Sequence, residues 1–193
     1  MSNHLTLLMM RHALTRPALH YAQDKSRMLT LQGKADCQVM ASWLQANQFC
    51  PDLILCSSVL RTKQTLDGLQ ACYPALQSAH IAFMEEIYHA EVNDLLKILI
   101  KHGKIDSKTD NKTDEDAKSH NMIMVLGHFP TVQEFSLGLC KPQATSKAWQ
   151  ALQTHYPTSA ITVIRPNVTN WSEILLDGSA DLQYFVTPQN VSS

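Results

Sequence analysis

Leu5-Thr6-Leu7-Leu8-Met9-Met10-Arg11-His12 is the stretch on which the fold turns. Its first six residues form an apolar run interrupted only by Thr6. The run is short enough for a strand and too unbroken for a strand with one wet face, so it predicts a strand buried on both sides. It then closes on a cation beside an imidazole. Neither suits a core, so the pair predicts a site at the strand's end.

The same pattern recurs further along. Leu53-Ile54-Leu55-Cys56 is a second buried run, followed by Ser57-Ser58 and, one helical turn on, Arg61. Met122-Ile123-Met124-Val125-Leu126 is a third, ending in Gly127-His128-Phe129-Pro130. Helical spacing fills the intervals. Thr30 caps an expected helix from Leu31 to Gln48, with Ala35, Val39, Met40, Trp43 and Leu44 on its apolar face. Arg61 to Cys72 is a second helix, turning Leu66, Leu69 and Tyr73 inward. Glu91 to His102 is a third, on the spacing of Val92, Leu95, Leu96 and Leu99. Two more run from Pro130 through Leu139 and over residues 145–155, Pro130 being tolerated in a first turn. Ile81 to Met84 is a further strand. Ala160 to Ile164 and Trp171 to Leu176 read as a hairpin-like pair around Pro166-Asn167 and Asn170, with Leu182 to Val186 a last edge strand.

Alternating helices and doubly buried strands predict an α/β three-layer sandwich, a mostly parallel central sheet with helices on both faces, over a single domain of residues 1–193. In such folds ligands sit beyond the carboxyl ends of the strands. Arg11, His12, Arg61 and His128 are therefore expected on one rim.

Composition narrows the function. A net charge of −1 gives no broad basic surface, so nucleic acid is not an expected partner. No run approaches the roughly 18 apolar residues of a membrane span, and no basic segment precedes the first strand to make it a signal peptide. Five widely spaced cysteines without a CxxC read as reduced thiols of a cytoplasmic protein. The nine histidines are scattered, with no HExxH or Cys/His cluster, so neither a metal nor another cofactor is expected. One stretch departs from the rest: Gly103 to Asn121 carries nine charged residues and almost nothing to bury, and reads as a polar, mobile insertion.

Two arginines and two histidines on one rim repel one another unless an anion joins them. A phosphoryl group is the natural complement, since its oxygens accept several charge-assisted bonds at once. Arginine's planar fork suits it better than lysine does. Positioning and charge neutralisation carry most of phosphoryl transfer, so such a site can work without a metal. A neutral imidazole is a competent nucleophile toward phosphorus. His12 is the stronger candidate, with a backbone carbonyl holding Nδ1 and leaving Nε2 to attack. His128 is then a donor to the phosphoryl oxygens.

These residues resemble the histidine phosphatase superfamily, which also contains the phosphoglycerate mutases. Leu8-Met9-Met10-Arg11-His12-Ala13 is similar to its Arg-His signature, with Ala13 where glycine is commoner. Leu29-Thr30-Leu31-Gln32-Gly33 resembles its "LTxxG" start to the first helix. Cys56-Ser57-Ser58-Val59-Leu60-Arg61-Thr62-Lys63-Gln64-Thr65 resembles "SPxxRxxQT", with Ser58 in place of proline, and Val125-Leu126-Gly127-His128-Phe129-Pro130 resembles "vGHxP". Ile87-Tyr88-His89-Ala90, then Leu95-Leu96, is similar to a segment of the short phosphohistidine phosphatases of the SixA type.

The resemblance implies a phosphoglycerate mutase-like fold and a metal-independent phosphatase that passes through a phosphohistidine on His12, with Arg11, Arg61 and His128 holding the phosphoryl oxygens. It implies Glu86 as general acid by spacing, Glu85 next. Thr15 and Arg16 follow the motif as candidate pocket-lining residues, a plain loop role being the alternative. The implied substrate is phosphohistidine on a protein. The alternatives are a small phosphomonoester such as a sugar phosphate or nucleotide, and a phosphate-binding module with little turnover.

Overall fold

The computed structural model describes residues 4–17, 21–104 and 120–191. Its six strands are β1 (Thr6–Arg11), β2 (Leu53–Ser57), β3 (His80–Met84), β4 (Met122–Gly127), β5 (Ile161–Arg165) and β6 (Asp181–Val186). They form one sheet in the order β3-β2-β4-β1-β5-β6. β3, β2, β4 and β1 run parallel, while β5 is antiparallel to β1 and β6 to β5. The helices are α1 (Leu31–Ala46), α2 (Leu60–Cys72), α3 (Glu86–His89), α4 (Val92–His102), α5 (Thr131–Leu139), α6 (Lys147–Thr154) and α7 (Pro188–Val191).

The unbroken apolar runs are explained by their two faces. Leu7, Met9, Leu55 and Val125 pack with Leu95 and Leu99 of α4, Phe135 of α5 and Leu152 of α6. Their alternating neighbours Leu8, Met10, Ile54, Cys56 and Leu126 pack on the opposite side with Met40 and Leu44 of α1 and Leu66 and Leu69 of α2. Both sides of the sheet are covered, as expected of a parallel sheet. Each such side chain contributes about 1.5–3 kcal/mol of burial, enough to hold the strand ends in fixed register.

Three expectations are corrected. Trp171 to Leu176 is not a strand: Trp171–Glu173 is a 3-10 turn, and β5 pairs with β6 instead. The buried residues there, Trp171 and Ile174, are three apart rather than two, a helical-turn spacing. The Trp171 indole N–H also donates to the His120 carbonyl at 2.6 Å, which fixes the turn. Helix α1 is rolled from its expected face, burying Gly33, Asp36, Cys37, Met40, Ala41 and Leu44 and leaving Ala35 exposed. It packs on α2 as well as the sheet, and Trp43 is half-buried at the edge of the core, stacked on Phe49 with ring centroids 5.4 Å apart. It also stops at Ala46, because Gln48 turns left-handed at φ 58°. Of the polar stretch 103–121, residues 105–119 lie outside the described residues; its two ends meet where the His120 N–H donates to the Gly103 carbonyl at 3.1 Å.

Candidate active site

Strand register builds the site. Arg11 on β1 is the partner of Gly127 on β4, so His12 and His128 are the first residues beyond two adjacent strands. Their ring centroids lie 5.3 Å apart. Ser57 ends β2 on the other side of β4, and its Oγ is 2.9 Å from Nε2 of His128. Arg61 is the second residue of α2, buried at 5% exposure. The four expected residues therefore come together at the carboxyl ends of parallel strands.

His12 is 7% exposed, and its Nδ1 lies 2.8 Å from the Ala13 carbonyl. A carbonyl only accepts, so Nδ1 carries the proton and Nε2 keeps a free lone pair. Burial, with Arg61, Arg11 and Arg27 nearby, pushes the ring down to about 3 against the partial support of that carbonyl. His12 is neutral at physiological pH. Burial and the neighbouring His12 and Arg61 push His128 down to about 3 as well.

The arginines are held from behind. Arg11 donates from Nη1 to the Tyr156 carbonyl at 2.7 Å, and its guanidinium carbon lies 5.2 Å from the centre of the Phe129 ring. Burial, then Arg27 and Arg61, lowers the Arg11 pKa from its ordinary value. Arg61 grips Asp24 twice: Nη1 donates to the Asp24 carbonyl at 2.8 Å, and Nη2 lies 3.1 Å from Oδ2. Among the described residues, three buried side-chain nitrogens then have no hydrogen-bond partner: Nε of Arg11, Nε of Arg61 and Nδ1 of His128. The two Nε atoms always carry protons, and His128 carries one on Nδ1 when the Ser57 hydroxyl donates to Nε2. Buried orphan donors are rare and costly. Three of them at one strand rim form a set whose protons the acceptors of an oxyanion would satisfy.

Sequence reasoning missed the second layer. Asp24 accepts from Tyr88 Oη at 2.6 Å, from Arg61, and from Arg27 Nη1 at 3.3 Å. Burial alone would raise its carboxyl, but Tyr88, Arg61 and Arg27 outweigh this and hold it below the usual value. An isolated Asp24-Lys25-Ser26-Arg27 carries no motif signal. Its position near Arg61 depends on the 3-10 turn Tyr21–Ser26 crossing the site. Thr15 is buried but receives a hydrogen bond from Arg27, and the Arg16 carbonyl accepts from Arg27 Nε at 2.9 Å. Both lean on Arg27. Thr65 fixes the backbone behind His12, where its Oγ1 accepts the Ala13 N–H at 3.0 Å. Gly33 must be glycine, since a Cβ there would lie 2.2 Å from the Leu14 carbonyl oxygen.

The two glutamates separate. Glu85 pairs with Lys25 and accepts from Ser58 Oγ at the rim, and these two bonds hold its carboxyl below the usual value. Glu86 heads α3 and is exposed.

Among the described residues no group of three or more His, Cys, Asp and Glu is arranged to hold a metal, and no helix is long and apolar enough to cross a membrane. No protein-family model matches the chain. An uncharacterised protein of Mycobacterium leprae is 26% identical over 186 residues, covering 93% of this chain and all (100%) of that one. A Nakamurella multipartitia structure described as a candidate SixA phosphohistidine phosphatase superposes with TM-score 0.70 at 24% identity, over 95% of this chain and 96% of that one. The protein histidine phosphatase SixA complexed with tungstate superposes at 0.67 and 23%, over 97% and 99%. The parallel strands, the crossing helices and these superpositions together give the chain the phosphoglycerate mutase-like α/β fold.

Proposed function

We propose that this chain is a phosphatase that hydrolyses phosphohistidine on a protein through a covalent intermediate on His12, without a metal. The observation that carries the reading is the set of three buried, unpartnered nitrogens on Arg11, Arg61 and His128 around a neutral His12. Phosphoryl oxygens supply the acceptors those donors lack. Tungstate, bound by a protein of the same fold, is likewise a tetrahedral oxyanion.

His12 Nε2 attacks phosphorus while the bond from phosphorus to the leaving nitrogen breaks. A proton reaches the far nitrogen of the leaving ring from water, so the imidazole departs neutral. Arg11, Arg61 and His128 hold the equatorial oxygens as charge shifts among them. Water then attacks the phosphohistidine, releasing phosphate and restoring neutral His12.

The rim carboxylates favour a phosphoramidate over an alkyl ester. An alkoxide needs a strong acid to leave, whereas an imidazole needs little help. Glu85 and Asp24 are both held ionised by cations and hydroxyls, and Glu86 stands exposed at the head of α3. Exposed Leu14, Met28 and Leu31 lie on the segments leading from His12 into α1 and offer a protein substrate apolar contact. The five cysteines are all free thiols, which supports a reducing compartment such as the cytoplasm.

The test is turnover of a phosphohistidine protein beside a panel of sugar phosphates and nucleotides, with His12→Ala as control. Trapping of 32P on the wild-type chain and its loss in His12→Ala is the expected result. Full activity of His12→Ala ends the covalent reading. Faster turnover of monoesters that collapses in Glu86→Gln makes Glu86 the acid of a small-molecule phosphatase.

A further inference from the structure

The phosphoryl-binding residues account for the floor of the site but not for its mouth. His12 is 7% exposed, so a group leaving opposite its Nε2 departs toward the open side of the site. Two rings stand there. Tyr88 has its ring centre 5.5 Å from that of His128 and 5.5 Å from the guanidinium carbon of Arg61. Its hydroxyl is committed to Asp24. Phe129 follows His128 directly, 48% exposed, with its ring centre 5.2 Å from the guanidinium carbon of Arg11. Each phosphoryl-binding arginine is thus topped by a ring. Cation–π attraction accounts for a large apolar side chain kept in this place rather than folded into the core.

We infer that Phe129 is the specificity-determining residue of this site: its outer face receives a flat aromatic leaving group, such as imidazole, and so selects against alkyl phosphates. The inference rests on the phosphatase reading and adds a leaving-group preference to it. An aromatic ring beside Phe129 gains an offset or edge-to-face contact that a polyol cannot make. Such a contact is worth about tenfold in binding. It forms equally before and during bond cleavage, so it belongs in KM rather than kcat.

The experiment measures kcat and KM of the wild type, Phe129→Ala, Phe129→Leu and Phe129→Tyr on phosphoimidazole, phenyl phosphate and glycerol phosphate. In the Ala and Leu variants, the ratio of kcat/KM for the two flat substrates to that for glycerol phosphate is expected to fall about tenfold, through KM. Phe129→Tyr restores it. Leucine keeps apolar cover without a ring, so it separates stacking from simple burial. An equal fall on all three substrates makes Phe129 a mere support for Arg11 and overturns the inference, as does an unchanged ratio in an active enzyme. A wild type that turns over none of the three overturns the phosphatase reading and this inference together.

Discussion

Between pH 6.5 and 4.5 the unfolded chain takes up protons on His12 and His128 while the folded chain does not, because burial holds both rings at about 3 against an ordinary 6.5. The unfolded state then binds more protons, so stability must fall as the pH falls through this window. Each pH unit is worth about 1.4 kcal/mol per fully displaced proton. Allowing for partial titration near 6.5, each histidine costs about 2 kcal/mol over the window and the pair about 4 kcal/mol. That is a large share of a typical 5–15 kcal/mol. Asp24 and Glu85 are lowered instead, so the stability they add is lost only as the pH drops through and below the ordinary carboxylate range. The measurement is urea unfolding followed by circular dichroism in non-phosphate buffers at half-unit steps. Wild type should lose about 4 kcal/mol between the two limits, and the double variant His12→Asn, His128→Asn should lose close to none of it. Added tungstate should flatten the wild-type slope, since an oxyanion favours the imidazolium forms. A flat wild-type profile, or a slope surviving unchanged in the double variant, refutes the assignment of two buried neutral histidines.

Replacing Arg61 by Lys removes the fork that binds Asp24 with two nitrogens and leaves Nε for an acceptor; kcat/KM should fall about 100-fold or more, measured on the best substrate of the panel. Asp24→Asn should loosen the same guanidinium and lower kcat/KM about tenfold with little change in melting temperature, an outcome in keeping with the modest worth of partly exposed ion pairs. Gly33→Ala should destabilise by about 2–4 kcal/mol, because its Cβ would lie 2.2 Å from a backbone oxygen that cannot swing aside; a calorimetric scan reads this directly. Tyr156→Phe deletes a hydroxyl that donates to the Met9 carbonyl at 2.6 Å and accepts from Thr162 at 2.9 Å. It should cost about 1–3 kcal/mol in chemical denaturation.

Much of the site was legible in the chain because a parallel sheet converts sequence order into position. Once Leu5–Met10, Leu53–Cys56 and Met122–Leu126 are recognised as strands buried on both faces, Arg11, His12, Ser57 and His128 must emerge on one edge. Arg61 follows from the short loop into α2. Strand direction, and so the gathering of these residues, is set by alternating strands and helices that any local reading can detect. The failures share a cause. Trp171 to Leu176 has the composition of a strand, yet its buried residues are three apart because the His120 carbonyl claims the indole. The roll of α1 depends on what α2 presents to it at Cys37 and Gly68, whose added Cβ would come within 2.9 Å of Cys37.

Hydrophobic periodicity and residue chemistry are local properties, so the chain alone specifies the parallel part of the sheet, the rim and the four side chains on it. How those side chains are tuned is a matter of long-range contact. Asp24 and the Tyr156 carbonyl orient the two arginines, and burial keeps both histidines neutral. Each of these needs segments far apart in the chain to meet, or water to be excluded by the whole fold. No spacing or composition encodes them one at a time.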